Sequence, residues 1–206
     1  MNHVAVVTGG GSGLGRSVCG HLATAGYRVA VLDLDGDAAE KVAAALRASG
    51  AQAIAAQADV AGRDAVDEAL AQVRGRLGPV TALVTSAAVS GFVPFEELSG
   101  DLWARTIAVN LTGTFNCVQA AIGDMVAAGW GRIVTISSAA GQTGAQRQAH
   151  YAASKGGVIA FTKAVALDYA AKGSRRTRCR PSWPTRRCCA ERRKHSSCRP
   201  RKCWRG

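Results

Sequence analysis

The sequence predicts an α/β fold, a doubly wound parallel sheet with helices on both faces. Three observations carry that expectation. Short apolar runs alternate with longer stretches of helical period over residues 1–173. The runs mostly lack polar alternation, as strands covered on both faces require. A glycine-rich segment follows the first run directly and opens the first helical stretch.

Taken in order, Val4 to Val7 forms the first strand, and Leu14, Val18, Leu22 and Ala25 recur at helical spacing after it. Val29 to Leu32 is the second strand, followed by a helix carrying Val42 and Leu46. Ala53 to Ala56 is the third, and Val66, Leu70, Val73 and Leu77 then mark a helical stripe. Val80 to Val84 and Ile133 to Ile136 complete five strands, separated by one long helix over Leu102–Ala128. A last long helix is predicted over Tyr151–Ala171. Right-handed crossovers between such strands give the doubly wound arrangement.

Charge divides the chain. Its net charge of +12 suggests a nucleic-acid binder, yet residues 1–173 hold 13 Lys/Arg against 13 Asp/Glu and sum to zero. Residues 174–206 hold the other 13 basic groups against Glu191 alone. Five of the seven cysteines also lie in that segment, at 179, 188, 189, 198 and 203, with Cys19 and Cys117 in the body. The expected organisation is therefore one folded domain over 1–173 and a basic, Cys/Arg-rich tail over 174–206. No apolar run approaches the roughly 20 residues that span a bilayer, and no secretory leader is visible, so the expected compartment is cytoplasmic.

Thr8-Gly9-Gly10-Gly11-Ser12-Gly13-Leu14-Gly15 sits between a strand and a helix. Glycines there let the backbone approach a pyrophosphate, which the free N–H groups of the helix start attract. Asp33 closes the second strand, 18 residues after Gly15. A carboxylate at that point accepts hydrogen bonds from an adenosine ribose and repels a 2′-phosphate, so NAD is expected in preference to NADP. The plainer reading of Asp33 is a solvated turn carboxylate beside Asp35 and Asp37. Asp59-Val60, at the end of the third strand, is placed to meet an adenine or to cap the next helix.

Further along stand Asn110 in VNLTGTF, Ser138 in IVTISSAAG, and Tyr151-Ala152-Ala153-Ser154-Lys155. With the glycine loop, Asp33 and Asp59-Val60, these make the stretch from Val4 to about Lys172 resemble the short-chain dehydrogenase/reductase family. The resemblance implies a Rossmann-like domain. It implies hydride transfer between NAD(H) and a secondary alcohol or ketone, with a 3-hydroxyacyl or 3-oxoacyl thioester as the leading substrate class.

The spacing has its own chemistry. A tyrosine hydroxyl free in water titrates near about 10, too high for a good base at neutral pH. Lys155 lies one helical turn beyond Tyr151, and its ammonium should favour the tyrosinate. Tyr151 would then exchange a proton with the substrate oxygen, and Ser138 would hold that oxygen. From the family alone come two further roles: Lys155 on the nicotinamide ribose, and Asn110 anchoring a water. The catalytic set is thus Asn110, Ser138, Tyr151 and Lys155. The cofactor set is Gly9, Ser12, Gly13, Leu14, Gly15, Asp33, Asp59, Val60 and Ser86, together with Tyr151 and Lys155. No metal site is expected. His150 is taken as a pocket-lining or surface residue.

Two departures from the family pattern stand out. Thr85-Ser86-Ala87-Ala88 replaces its Asn-Asn-Ala-Gly, removing amide donors and a permissive backbone position, so weaker cofactor binding is expected. Gly173 to Ser182 replaces the family's apolar sixth strand with an arginine-rich stretch. Burying unpaired arginines in a central strand is too costly, so the sixth and seventh strands are expected to be missing. The tail then reads as an arm for nucleic acid or anionic lipid, a cysteine metal site without the usual paired spacing, or the product of a shifted coding frame, which is the preferred account. The competing functional class is a catalytically impaired nucleotide-binding protein whose tail takes nucleic acid. Family assembly implies a dimer through the helices starting at Leu102 and Tyr151, without the tetramer interface that the last strand would build. The expected partners are a small alcohol or ketone and a second copy of the chain, not nucleic acid or membrane.

Overall fold

The computed structural model describes residues 3–170 and the backbone of 178–180. Strands β1 (Val4–Thr8), β2 (Arg28–Asp33), β3 (Ala53–Gln57), β4 (Val80–Thr85) and β5 (Arg132–Ile136) pair in parallel in the order β3-β2-β1-β4-β5. Helices α1 (Gly13–Thr24), α2 (Gly36–Ala48) and α3 (Arg63–Leu77) follow the first three strands. After β4 come α4 (Gly100–Ile107) and α5 (Gly113–Ala127); after β5, the single turn α6 (Ala140–Thr143) and the long α7 (Ala149–Ala170).

Two cores explain why the strands lack polar alternation. Val4 and Val6 of β1 face Val66, Leu70 and Val73 of α3 and Cys117, Val118 and Ala121 of α5. Val7 of the same strand faces Cys19 of α1 and Ala39, Val42 and Leu46 of α2. Both sides of β1 are therefore dry, and all five of its residues are buried. Cys19 and Cys117 lie one in each core, and burial pushes both thiols up to about 12, which makes them unreactive at neutral pH.

The order reverses between β1 and β4. From β1 the chain winds outward through β2 and β3, then crosses back to β4 and out to β5. The carboxyl ends of β1 and β4 thus part their following loops in opposite directions and open a crevice there. Thr8 holds its rim, its Oγ1 accepting from Ser86 N and Ala87 N, both at 3.1 Å.

The structure corrects several sequence expectations. The helix expected over Leu102–Ala128 is two helices, with a π-helical turn at Ala108–Thr112 between α4 and α5. Thr114 donates to the Asn110 carbonyl at 2.8 Å beside that turn, a competitor to the regular ladder. Asp59-Val60 lies beyond β3 rather than ending it, and the cap of α3 is Gly62. Where no sixth strand was expected, the backbone of Arg178–Arg180 forms β6, beside Val134, Thr135 and Ile136 of β5. The objection concerned arginine side chains, whereas strand pairing uses backbone groups that every non-proline residue carries. The change of character at Ser174, and the tail apart from that backbone, lie outside the described residues.

Candidate active site

The crevice at the switch point has a volume of about 470 Å³. Its floor is the glycine loop. Gly9 adopts φ +64°, and a Cβ there would lie 2.9 Å from the Ala87 backbone. Gly15 is tighter still: a Cβ would stand 2.0 Å from the Gly9 carbonyl oxygen, so only glycine lets α1 start this close under the loop. Gly10 N–H donates to Leu32 O at 3.1 Å and Gly11 N–H to Asp33 Oδ2 at 2.8 Å, which locks the loop to β2. The first-turn N–H groups of α1 have no carbonyl one turn back, and Ser12, its N-cap, makes no side-chain cap. Gly13, Leu14 and Gly15, which carry these donors, line the crevice.

One wall is formed by Asp33, Leu34, Ala58, Asp59, Val60 and Ala61. Asp33 accepts from Gly11 N–H and, through Oδ1, from Asp35 N–H at 3.1 Å, so its carboxylate is fixed while each oxygen keeps a lone pair. Asp59 folds back to accept from Ala61 N–H at 2.9 Å, a turn rather than a helix cap. Buried Asn116 of α5 donates to Val60 O at 2.9 Å and holds this loop. No sequence signal marks Asn116, six residues after Asn110 in a helix of core residues, because only the folded chain brings α5 under the loop.

The far end holds Ser86, Ala87, Ala88, Val89, Ile136, Tyr151 and Lys155. Tyr151 and Lys155 lie one turn apart on α7, with Lys155 Nζ 5.8 Å from the tyrosine ring centre. Nζ donates to Ile136 O at 2.8 Å. Burial lowers the Lys155 ammonium from 10.5 to about 8, since desolvation disfavours its charged form. Two contacts clamp this turn. Ser137 Oγ donates to Lys155 O at 3.1 Å, and Gly141 of α6 packs so closely that a Cβ would lie 2.6 Å from the Lys155 carbonyl carbon.

Asn110 is wholly buried in the π-helical turn. Its side chain accepts from Val89 N–H at 2.8 Å and donates to Val89 O at 2.9 Å and to Ser154 Oγ at 3.0 Å. Ser154 Oγ in turn donates to Tyr151 O at 2.8 Å. Asn110 therefore ties the loop after β4 to the Tyr151 turn. Ser154 is the link, and its place between Tyr151 and Lys155 in the chain does not disclose that role. Ser138 lies half-buried two residues past β5, where its Oγ accepts from Ala140 N–H at 3.2 Å. All nine residues expected to bind the cofactor alone line the crevice, as do Tyr151 and Lys155; Asn110 and Ser138 are not among its lining residues. His150 corrects its expectation: it is fully buried, lies outside the crevice lining, and neither ring nitrogen has a partner among the described residues.

This arrangement, with the glycine loop, the Asp33 carboxylate and the Tyr151–Lys155 turn lining one crevice, meets a matching family profile. The profile of the short chain dehydrogenases covers residues 3–183. The chain belongs to that family. Its members are oxidoreductases of CH–OH groups that bind a nicotinamide dinucleotide. Similar family members include 2-(S)-hydroxypropyl-CoM dehydrogenase 3 of Xanthobacter autotrophicus, 36% identical over 84% of this chain and 68% of that protein. Acetoacetyl-CoA reductase of Rhizobium meliloti is 39% identical over 84% of this chain and 70% of its own length. The 3-oxoacyl-[acyl-carrier-protein] reductase FabG of Staphylococcus epidermidis is 37% identical over 84% and 71% respectively. The crystal structure of gox2181 superposes with a TM-score of 0.82 at 34% identity, over 84% of this chain and 69% of that one. Among the described residues no helix is long and apolar enough to cross a membrane.

Proposed function

We propose that this short chain dehydrogenase uses NAD(H) to interconvert a secondary alcohol and its ketone, with a 3-hydroxyacyl or 3-oxoacyl thioester as the substrate class. One observation carries the reading: Tyr151 and Lys155 open onto the same crevice as the glycine loop and Asp33. The residues present fit the dinucleotide. The loop leaves a cradle that a Cβ at Gly15 would fill, and the opening N–H groups of α1 suit its phosphates. Asp33 suits the adenosine ribose, and neither Leu32 nor Leu34 beside it offers a cation for a 2′-phosphate. The acyl thioester assignment rests on likeness to proteins named for such reactions.

The bound dinucleotide supplies or accepts hydride. Tyr151 passes a proton to or from the substrate oxygen at its hydroxyl. Lys155, held by Ile136 O and the Ser137–Gly141 clamp, steadies the charge that develops on the Tyr151 oxygen and reaches toward the nicotinamide ribose. Ser138 holds the substrate oxygen by donating its hydroxyl proton, which the bond it accepts from Ala140 N–H leaves available. Asn110 acts by positioning, through Val89 and through Ser154, and its family role as a water anchor falls to whatever acceptor capacity those bonds leave. Residues 174–206 are read as a segment from a shifted coding frame, which the nucleotide sequence around Ser174 tests directly. A dimer through the helices at Leu102 and Tyr151 is proposed with it, and its mass in solution is the test.

The decisive experiment pairs two variants. Tyr151→Phe is expected to lower turnover of 3-hydroxyacyl thioesters by at least about a hundredfold while NADH binding is kept. Asp33→Ser is expected to narrow or reverse the preference for NADH over NADPH. A Tyr151→Phe enzyme with wild-type turnover, or wild-type binding tighter for NADPH than NADH, defeats the proposal.

A further inference from the structure

One cation in the crevice has no assigned task. Arg105, in the last turn of α4, lines the same crevice as the glycine loop, one turn before Ala108 and Val109, which line it too. Its guanidinium is exposed and makes no hydrogen bond or ion pair among the described residues. The crevice carboxylates, Asp33 and Asp59, are held by loop N–H groups instead. Among the described residues Lys155 is the only other basic residue of the lining, and its ammonium is bonded to Ile136 O. The phosphate cradle itself is built from backbone: Gly13, Leu14 and Gly15 bring N–H groups and no positive side chain.

A pyrophosphate in that cradle carries two negative charges, and the floor meets them with dipoles alone. An arginine with a planar fork of donors, unengaged among the described residues and lining the same crevice, is the group that complements them. We propose that Arg105 is a phosphate clamp that closes over the dinucleotide from the α4 wall and binds its pyrophosphate oxygens. The inference rests on the dinucleotide reading of the crevice and adds to it a residue outside the glycine loop. It also accounts for an exposed arginine standing one turn above an apolar stretch, Ala108–Val109, that needs no charge of its own.

The test is calorimetric titration of the full chain with NADH, with no turnover involved. Arg105→Gln is expected to weaken binding about tenfold, the range for losing a hydrogen bond to a charged group at an open site. Its affinity should also fall less steeply with added salt than that of the wild type. Arg105→Lys keeps the charge and is expected to recover most of the affinity. Wild-type binding by Arg105→Gln overturns the clamp. So does equal weakening by Gln and Lys, which assigns the guanidinium plane to stacking on the adenine. Gly15→Val separates this from the underlying reading: if that variant still binds NADH as wild type, the crevice is not the dinucleotide site at all. If it loses binding while Arg105→Gln does not, only the clamp fails. Unchanged melting temperatures for the Arg105 variants establish that each is folded, as an exposed residue without partners among the described residues requires.

Discussion

Lys155 should make the free protein less stable than it would otherwise be. Its ammonium is buried and titrates at about 8 instead of 10.5. Between those values the unfolded chain binds more protons than the folded one, so stability rises with pH across that window and is lowest below it. A displacement of about 2.5 units at roughly 1.4 kcal/mol each sets the cost near 3 kcal/mol at pH 7. Lys155→Met removes the charge and keeps a flexible stem of similar volume, but it forfeits the bond to Ile136 O, a loss of about 1 kcal/mol. The expected net effect is a gain of about 2 kcal/mol at pH 7 without dinucleotide. By pH 10 the gain should be gone: the lysine is then neutral in the folded state but still mostly charged in the unfolded one, and the remaining cost of about 1 kcal/mol is matched by the lost bond to Ile136 O. Urea unfolding of both chains at pH 7, 8.5 and 10 measures it. A Met variant no more stable than wild type at pH 7, or a wild-type curve flat from pH 8 to 10, refutes the reasoning.

Three other substitutions probe the scaffold of the site. Gly15→Ala drives a Cβ into the Gly9 carbonyl, with backbone on both sides unable to give way, and is expected to weaken NADH binding by about a hundredfold or more while the melting temperature changes modestly. Asn110→Ala leaves Val89 N–H and O and Ser154 without their partner in a dry place, and should cost about 3 kcal/mol in denaturant unfolding. Thr85 carries a buried Oγ1 with no partner among the described residues, so Thr85→Val, nearly the same in shape, should raise stability by about 1 kcal/mol; a loss of that size would show the hydroxyl to be bonded after all.

What the sequence determined by itself was everything that depends on local pattern. Five strands were legible because a strand buried on both faces must be apolar throughout, and the glycine loop because only glycine permits the approach between Gly9 and Gly15. The placement of Tyr151 and Lys155 on one helical face followed from a spacing of four residues. Distant pairings were hidden. That Asn116 would support the loop at Val60, or that Ser154 would join Asn110 to Tyr151, depends on how α5 and α7 cross the sheet. The π-helical turn that divides the helix expected over Leu102–Ala128 carries no periodicity signal, since one inserted residue shifts the apolar stripe by less than the stripe is wide. His150 was misplaced for the same reason: one position before Tyr151 it points about 100° away around the helix, into the packing between α7 and the loop at Gly91 rather than into the crevice. The short β6 escaped because its side chains argue against a strand while the open backbone of β5 argues for one. Side-chain pattern is written in the sequence, but which backbone lies beside an unpaired edge is decided only by the assembled sheet.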